Sequence, residues 1–179
     1  MPHAPVNNFS IKNLPGHERA GAFWENRGDR RHCGVDIYAP PGEPVFAVND
    51  GVCIETGLFT SPELNPYWNQ TYFVIIQTAD GHFVKYAEMR DIYISAGERI
   101  RSGDRIGEVG RVINPDAVDK SAPEYIRRLA FEDQSSMLHL EVYSANDYIL
   151  EDYLGGNYFG IRRPAALVDP IQYLSDLLK

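Results

Sequence analysis

His32 and Asp36 stand four residues apart in His32-Cys33-Gly34-Val35-Asp36, and His139 lies far downstream in Met137-Leu138-His139-Leu140-Glu141. Together they offer two imidazoles and one carboxylate. Neutral imidazole nitrogen and carboxylate oxygen are both good donors to zinc, and a site with three protein ligands keeps a coordination position open. An open position is what metal-assisted hydrolysis requires. In extended chain, positions i and i+4 face the same side, so His32 and Asp36 can reach a common ion, while His139, Glu141 and Met137 share one face of their strand. Cys33 points to the opposite side from His32 and is excluded from that ion.

The elements that must carry these residues are strands. Residues 35–38, 45–48, 51–55, 72–77, 82–86 and 138–143 are short runs rich in β-branched and aromatic residues, bounded by turn formers. Asn49-Asp50-Gly51 and Ala79-Asp80-Gly81 read as hairpin turns, since glycine supplies the positive φ such turns need. Residues 97–107, with Gly97, Gly103 and Gly107, read as turn punctuation around Ile100 and Ile106. Helix is expected in two places. Residues 121–130 open with a Ser121 cap, an early Pro123 and Glu124 three after the cap. Residues 169–178 repeat that logic, with Asp169-Pro170 at the start and apolar residues spaced along one face. The predicted fold class is therefore mainly β, a compact antiparallel β-sheet domain with short peripheral helices. Inserted loops at 57–71 and 111–136 interrupt it. A further irregular stretch, 144–163, carries Tyr148, Tyr153, Tyr158 and Phe159, and these three segments are expected to flank the groove and set ligand choice.

The 179 residues suit one domain. No apolar run approaches the roughly 20 residues that span a bilayer, so no membrane span is expected. A net charge of -8 without any stripe of Lys and Arg argues against nucleic acid as a partner. Met1–Ser10 has neither a basic n-region nor an apolar h-region, so no secretory signal is read there. Cys33 and Cys53 are too few for a disulfide framework and read as buried thiols, with a bridge between them open only if their strands pair.

Residues 34–52, Gly34-Val35-Asp36-Ile37-Tyr38-Ala39-Pro40-Pro41-Gly42-Glu43-Pro44-Val45-Phe46-Ala47-Val48-Asn49-Asp50-Gly51-Val52, strongly resemble the opening motif of the lysostaphin-like (LytM-type) zinc metalloendopeptidases, which cleave peptide cross-links in bacterial cell walls. The resemblance continues through Phe83-Val84-Lys85-Tyr86-Ala87-Glu88-Met89, through residues 94–110, and through the His139 segment to Asp169-Pro170. It covers most of residues 30–175, leaving 1–29 as an N-terminal extension. It implies a compact, mostly antiparallel β fold, one zinc ion held by His32, Asp36 and His139, and the peptide part of peptidoglycan as substrate, met in the periplasm or outside the cell. This chain departs from the pattern twice. Active members usually carry a histidine where this chain has Glu88, and another at Met137, the first position of a His-x-His. Both of those histidines are catalytic in the family, so the resemblance carries over three ligands and no catalytic histidine.

Glu88 has three readings: a general base beside the metal, a fourth ligand that closes the site, or no role. Met137 cannot replace a histidine, because a thioether donates no hydrogen bond to a developing oxyanion. Tyr86, Tyr143, Tyr148 and His82 are the candidate donors in its place. Glu141 is either the acceptor that orients the His139 imidazole from behind or an exposed strand residue. The reading that follows is a zinc-dependent peptidase acting on peptidoglycan with Glu88 as base. The alternative is a catalytically inactive zinc-binding domain that binds cell-wall peptide or regulates a partner hydrolase. A cytoplasmic zinc amidase for small peptides is a third reading, prompted by the missing signal.

Overall fold

Runs of β-branched and aromatic residues form strands along most of this chain. The computed structural model describes every residue except Glu18, 132–134, 145–147 and Ile149, and only the backbone of Tyr125 and Arg128. In chain order the elements are β1 (Arg31–His32), β2 (Val35–Tyr38), β3 (Pro44–Phe46), β4 (Gly51–Thr60), β5 (Thr71–Thr78), β6 (Phe83–Ile92), β7 (Arg99–Ile100), β8 (Arg105–Arg111), α1 (Glu124–Phe131), β9 (Ser136–Tyr143), β10 (Tyr153–Leu154), β11 (Asn157–Tyr158), β12 (Leu167–Val168) and α2 (Pro170–Leu177). The main sheet runs β12-β9-β8-β6-β5-β4-β7, with β2 on β9, β3 on β8 and a further pairing of β9 with β6. β1, β11 and β10 make a separate small sheet. The pairings are antiparallel, and the mainly β fold is as the sequence predicts. Among the described residues no helix is long and apolar enough to cross a membrane.

The period of two along a strand divides β2 and β9 between two jobs. Val35 and Ile37 on β2, with Leu138, Leu140 and Val142 on β9, point into the main core, where α2 adds Tyr173 and Leu174. Asp36, His139 and Glu141 alternate with them and point the other way. β9 is nevertheless buried along its whole length, because the small sheet lies over that second face. Residues before 30 are packed into the same body: Val6 joins the main core and bridges to Val45, and Phe23 lies in a second cluster with Cys33, Tyr143 and Leu167.

Several local expectations are corrected. Asn49-Asp50-Gly51 is not a hairpin turn, since β3 pairs with β8 while β4 pairs with β5 and β7; the chain bends there between strands that are not neighbours. Ala79-Asp80-Gly81 does close the β5–β6 hairpin, with Gly81 at φ 89°. Residues 97–107 are not mere punctuation: they contain β7 and the start of β8, which pairs with β3, β6 and β9. The expected loop at 57–71 shrinks to 61–70, because β4 runs on through two register shifts that bend it. Ser121 does not cap α1: its N–H and hydroxyl both donate to Asp119, and the first helical carbonyl is that of Pro123. α2 starts as predicted, with Asp169 accepting from the Ile171 N–H at 2.8 Å. Cys33 and Cys53 are both free and sit in different clusters. Parts of the 111–136 and 144–163 loops lie outside the described residues.

Gly34 links this framework to the site. A Cβ there would stand 2.4 Å from the Leu140 carbonyl oxygen and 2.7 Å from His139 Cε1, both in a packed region. Gly34→Ala is therefore expected to destabilise the protein by about 1–3 kcal/mol, the usual cost of overpacking. Urea unfolding at constant m-value measures it.

Candidate metal centre

The β2–β9 register sets Asp36 opposite His139 and Tyr38 opposite Met137. Directly opposed residues in an antiparallel pair project to the same side, so the first pair delivers two donors to one point. His32 comes from β1, outside the main sheet, where its backbone exchanges hydrogen bonds with Trp24 and Glu25. Its ring Nδ1 donates to the Ala22 carbonyl at 2.8 Å. The remaining ring nitrogen, Nε2, lies 3.0 Å from His139 Nδ1 and 3.1 Å from Asp36 Oδ1, and His139 Nδ1 is 2.9 Å from the same oxygen. The three residues expected to act together are thus brought together, all of them buried.

On its far side His139 Nε2 donates to Glu141 Oε1 at 2.8 Å. Glu141 is completely buried and also accepts from the Tyr143 and Tyr153 hydroxyls, each at 2.5 Å. Lys85, paired across the strands with Glu141, places Nζ 3.7 Å from it and over the rings of Phe59, Phe73 and Tyr153. Of the two readings of Glu141, the orienting acceptor is the observed one. Burial disfavours its charge, but Lys85 and the His139 hydrogen bond outweigh that and hold its carboxyl well below the usual range. Phe59 stacks on the His139 ring at 5.7 Å and helps to fix its plane.

This donor set fits a small divalent ion. The Ala22 carbonyl and Glu141 carboxylate can only accept, so in neutral rings the protons sit on His32 Nδ1 and His139 Nε2. That leaves two nitrogen lone pairs and a carboxylate oxygen converging, an arrangement that is repulsive without a positive charge among them. A tetrahedral zinc ion with bonds of about 2.0–2.1 Å wants donors about 3.3 Å apart, close to the separations here. Replacing Glu141 by glutamine removes the charge that orients His139 and raises its basicity. Zinc affinity is expected to fall roughly 10- to 100-fold, read by competition against a chromophoric chelator.

The centre adjoins a cavity of about 340 Å³ that it meets through Asp36, with His32 and His139 buried behind that residue. Trp68, Val112, Ile113, Ile126 and Leu129 form an apolar wall, so residues from 61–70 and 111–131 do flank the groove as expected. From 144–163 the groove receives Gly155 and Asn157, whereas Tyr153 backs Glu141 and Tyr158 packs near Trp24. Glu88 lines the cavity from β6 with a left-handed backbone, φ 63°, beside a register shift. It is buried, and its Oε2 has no hydrogen-bond partner among the described residues. Burial and then the charge of Asp36 push its carboxyl up to about 8. It is not one of the donors that converge, which separates it from the fourth-ligand reading.

None of the four donors expected to replace Met137 lines this cavity. The Tyr86 hydroxyl accepts from the Val48 N–H within the main core, and the Tyr143 hydroxyl is committed to Glu141. Tyr148 stacks on Phe83, and His82 lies against Tyr173 near Asp80. Two residues that sequence reasoning passed over are present instead, Tyr38 and Arg27. Arg27 reaches Asp36 Oδ2 at 3.6 Å while holding Glu25 and Asn157 at 3.0 Å each. No spacing pattern marks it, because it reaches the centre only through the packing of the segment before β1.

A mainly antiparallel β domain with a buried His–Asp–His donor triangle whose Asp36 borders a groove has the architecture of a metallopeptidase domain. The chain belongs to peptidase family M23, whose family model matches residues 30–149. It is 31% identical over 87 residues to the peptidoglycan DD-endopeptidase ShyA of Vibrio cholerae serotype O1, and 32% identical over 89 residues to ShyC of the same organism. These stretches cover 47% and 48% of this chain but only 18% and 19% of the relatives, so the match spans less than a fifth of their length. Among solved structures, the catalytic domain of lysostaphin from Staphylococcus simulans superposes with a TM-score of 0.53 at 17% identity, covering 92% of this chain and 95% of that one. A longer lysostaphin chain gives 0.56, covering 93% and 52%. At that identity the likeness concerns the fold.

Proposed function

We propose that this chain is a zinc-dependent peptidase that hydrolyses amide bonds in the peptide part of bacterial peptidoglycan. His32, Asp36 and His139 hold one zinc ion, and Glu88 is the general base. The observation that carries the reading is a buried carboxylate, Glu88, whose Oε2 has no hydrogen-bond partner among the described residues and which lines the same cavity as Asp36, one of the three convergent metal donors. The choice of peptidoglycan draws on the activity named for the ShyA and ShyC relatives.

Zinc held in the triangle supplies Lewis acidity to the scissile carbonyl and to the attacking water. Glu88 Oε2 takes the proton that this water loses and delivers it to the leaving amine. Burial, and then the charge of Asp36, raise the proton affinity of this carboxyl, which makes its ionised form a stronger base toward the water proton. Arg27 helps to hold Asp36 in place through its Oδ2, and the apolar wall of Val112, Ile113 and Ile126 keeps bulk water from one side of the groove.

The test is to incubate zinc-loaded protein with purified peptidoglycan and with synthetic cross-linked peptides, and to follow products by mass spectrometry. New amine and carboxyl termini in a defined peptide are expected. Protein that binds zinc and releases no product from any substrate is instead a binding or regulatory domain.

A further inference from the structure

We propose that Tyr38 is a catalytic residue, whose phenolic O–H donates a hydrogen bond to the oxyanion that develops at the scissile carbonyl. The proposal deepens the peptidase reading and rests on it. Tyr38 is the next same-face residue after Asp36 on β2, and in register it lies directly opposite Met137 on β9. Cross-strand partners project to one side, so the tyrosine faces the groove beside the residue whose thioether cannot donate. Between the two pairs, Ile37 and Leu138 point into the main core on the other side.

Three observations equip Tyr38 for this role. It lines the same cavity as Asp36, Glu88 and Met137, and at 37% exposure it is open to a ligand. Its Oη and Asp36 Oδ2 each lie 3.0 Å from the point that a Gly21 Cβ would occupy, so the hydroxyl and the ligand carboxylate border one space that glycine leaves open. Among the described residues, no hydrogen bond to that hydroxyl is formed. A phenol O–H is a hydrogen-bond donor. Arg27 and Arg30 are the other cavity residues rich in N–H groups, but Arg27 spends its own on Glu25, Asn157 and Asp36, and Arg30 pairs with Asp29 and lies over the Phe159 ring.

No proton leaves Tyr38 in the step. The water oxygen bonds to the carbonyl carbon, the carbonyl π pair moves onto oxygen, and that oxygen accepts from Tyr38. Glu88 alone carries the proton from water to the amine, and the C–N bond breaks with its electron pair on nitrogen.

The experiment uses the zinc-loaded full chain and Tyr38→Phe. Loss of one oxyanion donor is expected to lower kcat about 10²- to 10³-fold, with KM and zinc affinity unchanged. A phosphinate dipeptide, which presents a tetrahedral anion to the same place, is expected to lose affinity in parallel, measured by calorimetry without turnover. Adding Met137→His to Tyr38→Phe is expected to restore part of the loss, since an imidazole N–H then stands across the strand pair. Unchanged kcat and unchanged phosphinate affinity in Tyr38→Phe overturn the proposal and leave the peptidase reading intact. A fall in zinc affinity alone makes Tyr38 structural and also overturns it. Wild-type protein that neither turns over nor binds the phosphinate overturns both.

Discussion

Zinc added to metal-stripped protein at neutral pH is expected to release about one proton per ion bound. It should also raise the melting temperature by roughly 5–10 °C once the free ion stands near 100 times its dissociation constant. The proton comes from His139. Burial alone lowers the pKa of this imidazole, but its hydrogen bonds to Asp36 and Glu141 outweigh burial and raise it to about 10. His32, held down by burial, stays neutral. In stripped protein His139 therefore carries both ring protons, and the one on Nδ1 lies toward both Asp36 Oδ1 and His32 Nε2. That proton is the positive charge the three donors require, and an ion bound to Nδ1 must displace it. The sign follows by linkage. The folded state holds the proton more tightly than the unfolded one, so its stabilisation is complete below about pH 6.5 and is lost as pH rises through about 10. Over that window apparent zinc affinity rises about tenfold per pH unit, because one proton is exchanged for one ion. Calorimetry in buffers of different ionisation enthalpy counts the proton. His139→Ala removes a ligand and one hydrogen-bond partner from each of two buried carboxylates, Asp36 and Glu141, which keep Arg27 and Lys85 respectively, so it is expected to abolish the thermal shift and to destabilise stripped protein by about 1–3 kcal/mol. Zinc binding with no proton release would sink this account of the triangle.

The metal donors were legible because their geometry is local. His32 and Asp36 stand only four residues apart and converge although the chain breaks between β1 and β2, and His139 and Glu141 share a strand face, so residue type and close spacing suffice. What was not legible depends on partners distant in sequence. Strand β8 is built around Gly107 and Gly110 and reads as turns, and only its pairing with β3, β6 and β9 makes it a strand. Glu141 reads equally well as exposed or buried until the small sheet is known to cover β9, which brings Tyr153 onto it from an irregular segment. Lys85 is visible as a strand residue, but its pairing with Glu141 depends on the β6–β9 register. Tyr38 faces Met137 for the same kind of reason, and Arg27 arrives from a segment that looked like an extension. Residue type and spacing thus name the donors and offer Glu141 as one candidate support, while Lys85, Tyr153 and Arg27 emerge only from the packing.

Glu88→Gln is expected to lower kcat by about 10²- to 10⁴-fold, the usual contribution of a positioned base, while zinc affinity stays near that of wild type. The same substitution should make stripped protein more stable as pH rises, which is unusual for an active-site residue and follows from its surroundings. Glu88 is buried, its Oε2 is unpaired, and its backbone is left-handed at φ 63°, a conformation costly for a side chain that is neither glycine nor asparagine. Burial and the Asp36 charge raise its carboxyl from 4.5 to about 8. The folded state therefore keeps this proton where the unfolded state releases it. The associated stability is full below about pH 4.5 and is lost as pH rises through about 8. Glutamine has the shape and no titration, so the stability difference between variant and wild type should widen in favour of glutamine across that window and level off above it. Urea titrations at several pH values read the gap, and subtraction cancels the groups both proteins share. Each departure has a distinct meaning. A sharp fall in zinc affinity would return Glu88 to the fourth-ligand role, and unchanged turnover would remove it as the base. A flat stability difference would mean that water reaches the carboxylate. A variant that is more stable, binds zinc as before and turns over slowly is what a strained, desolvated base predicts, because such a group costs the fold stability in exchange for a proton affinity suited to catalysis.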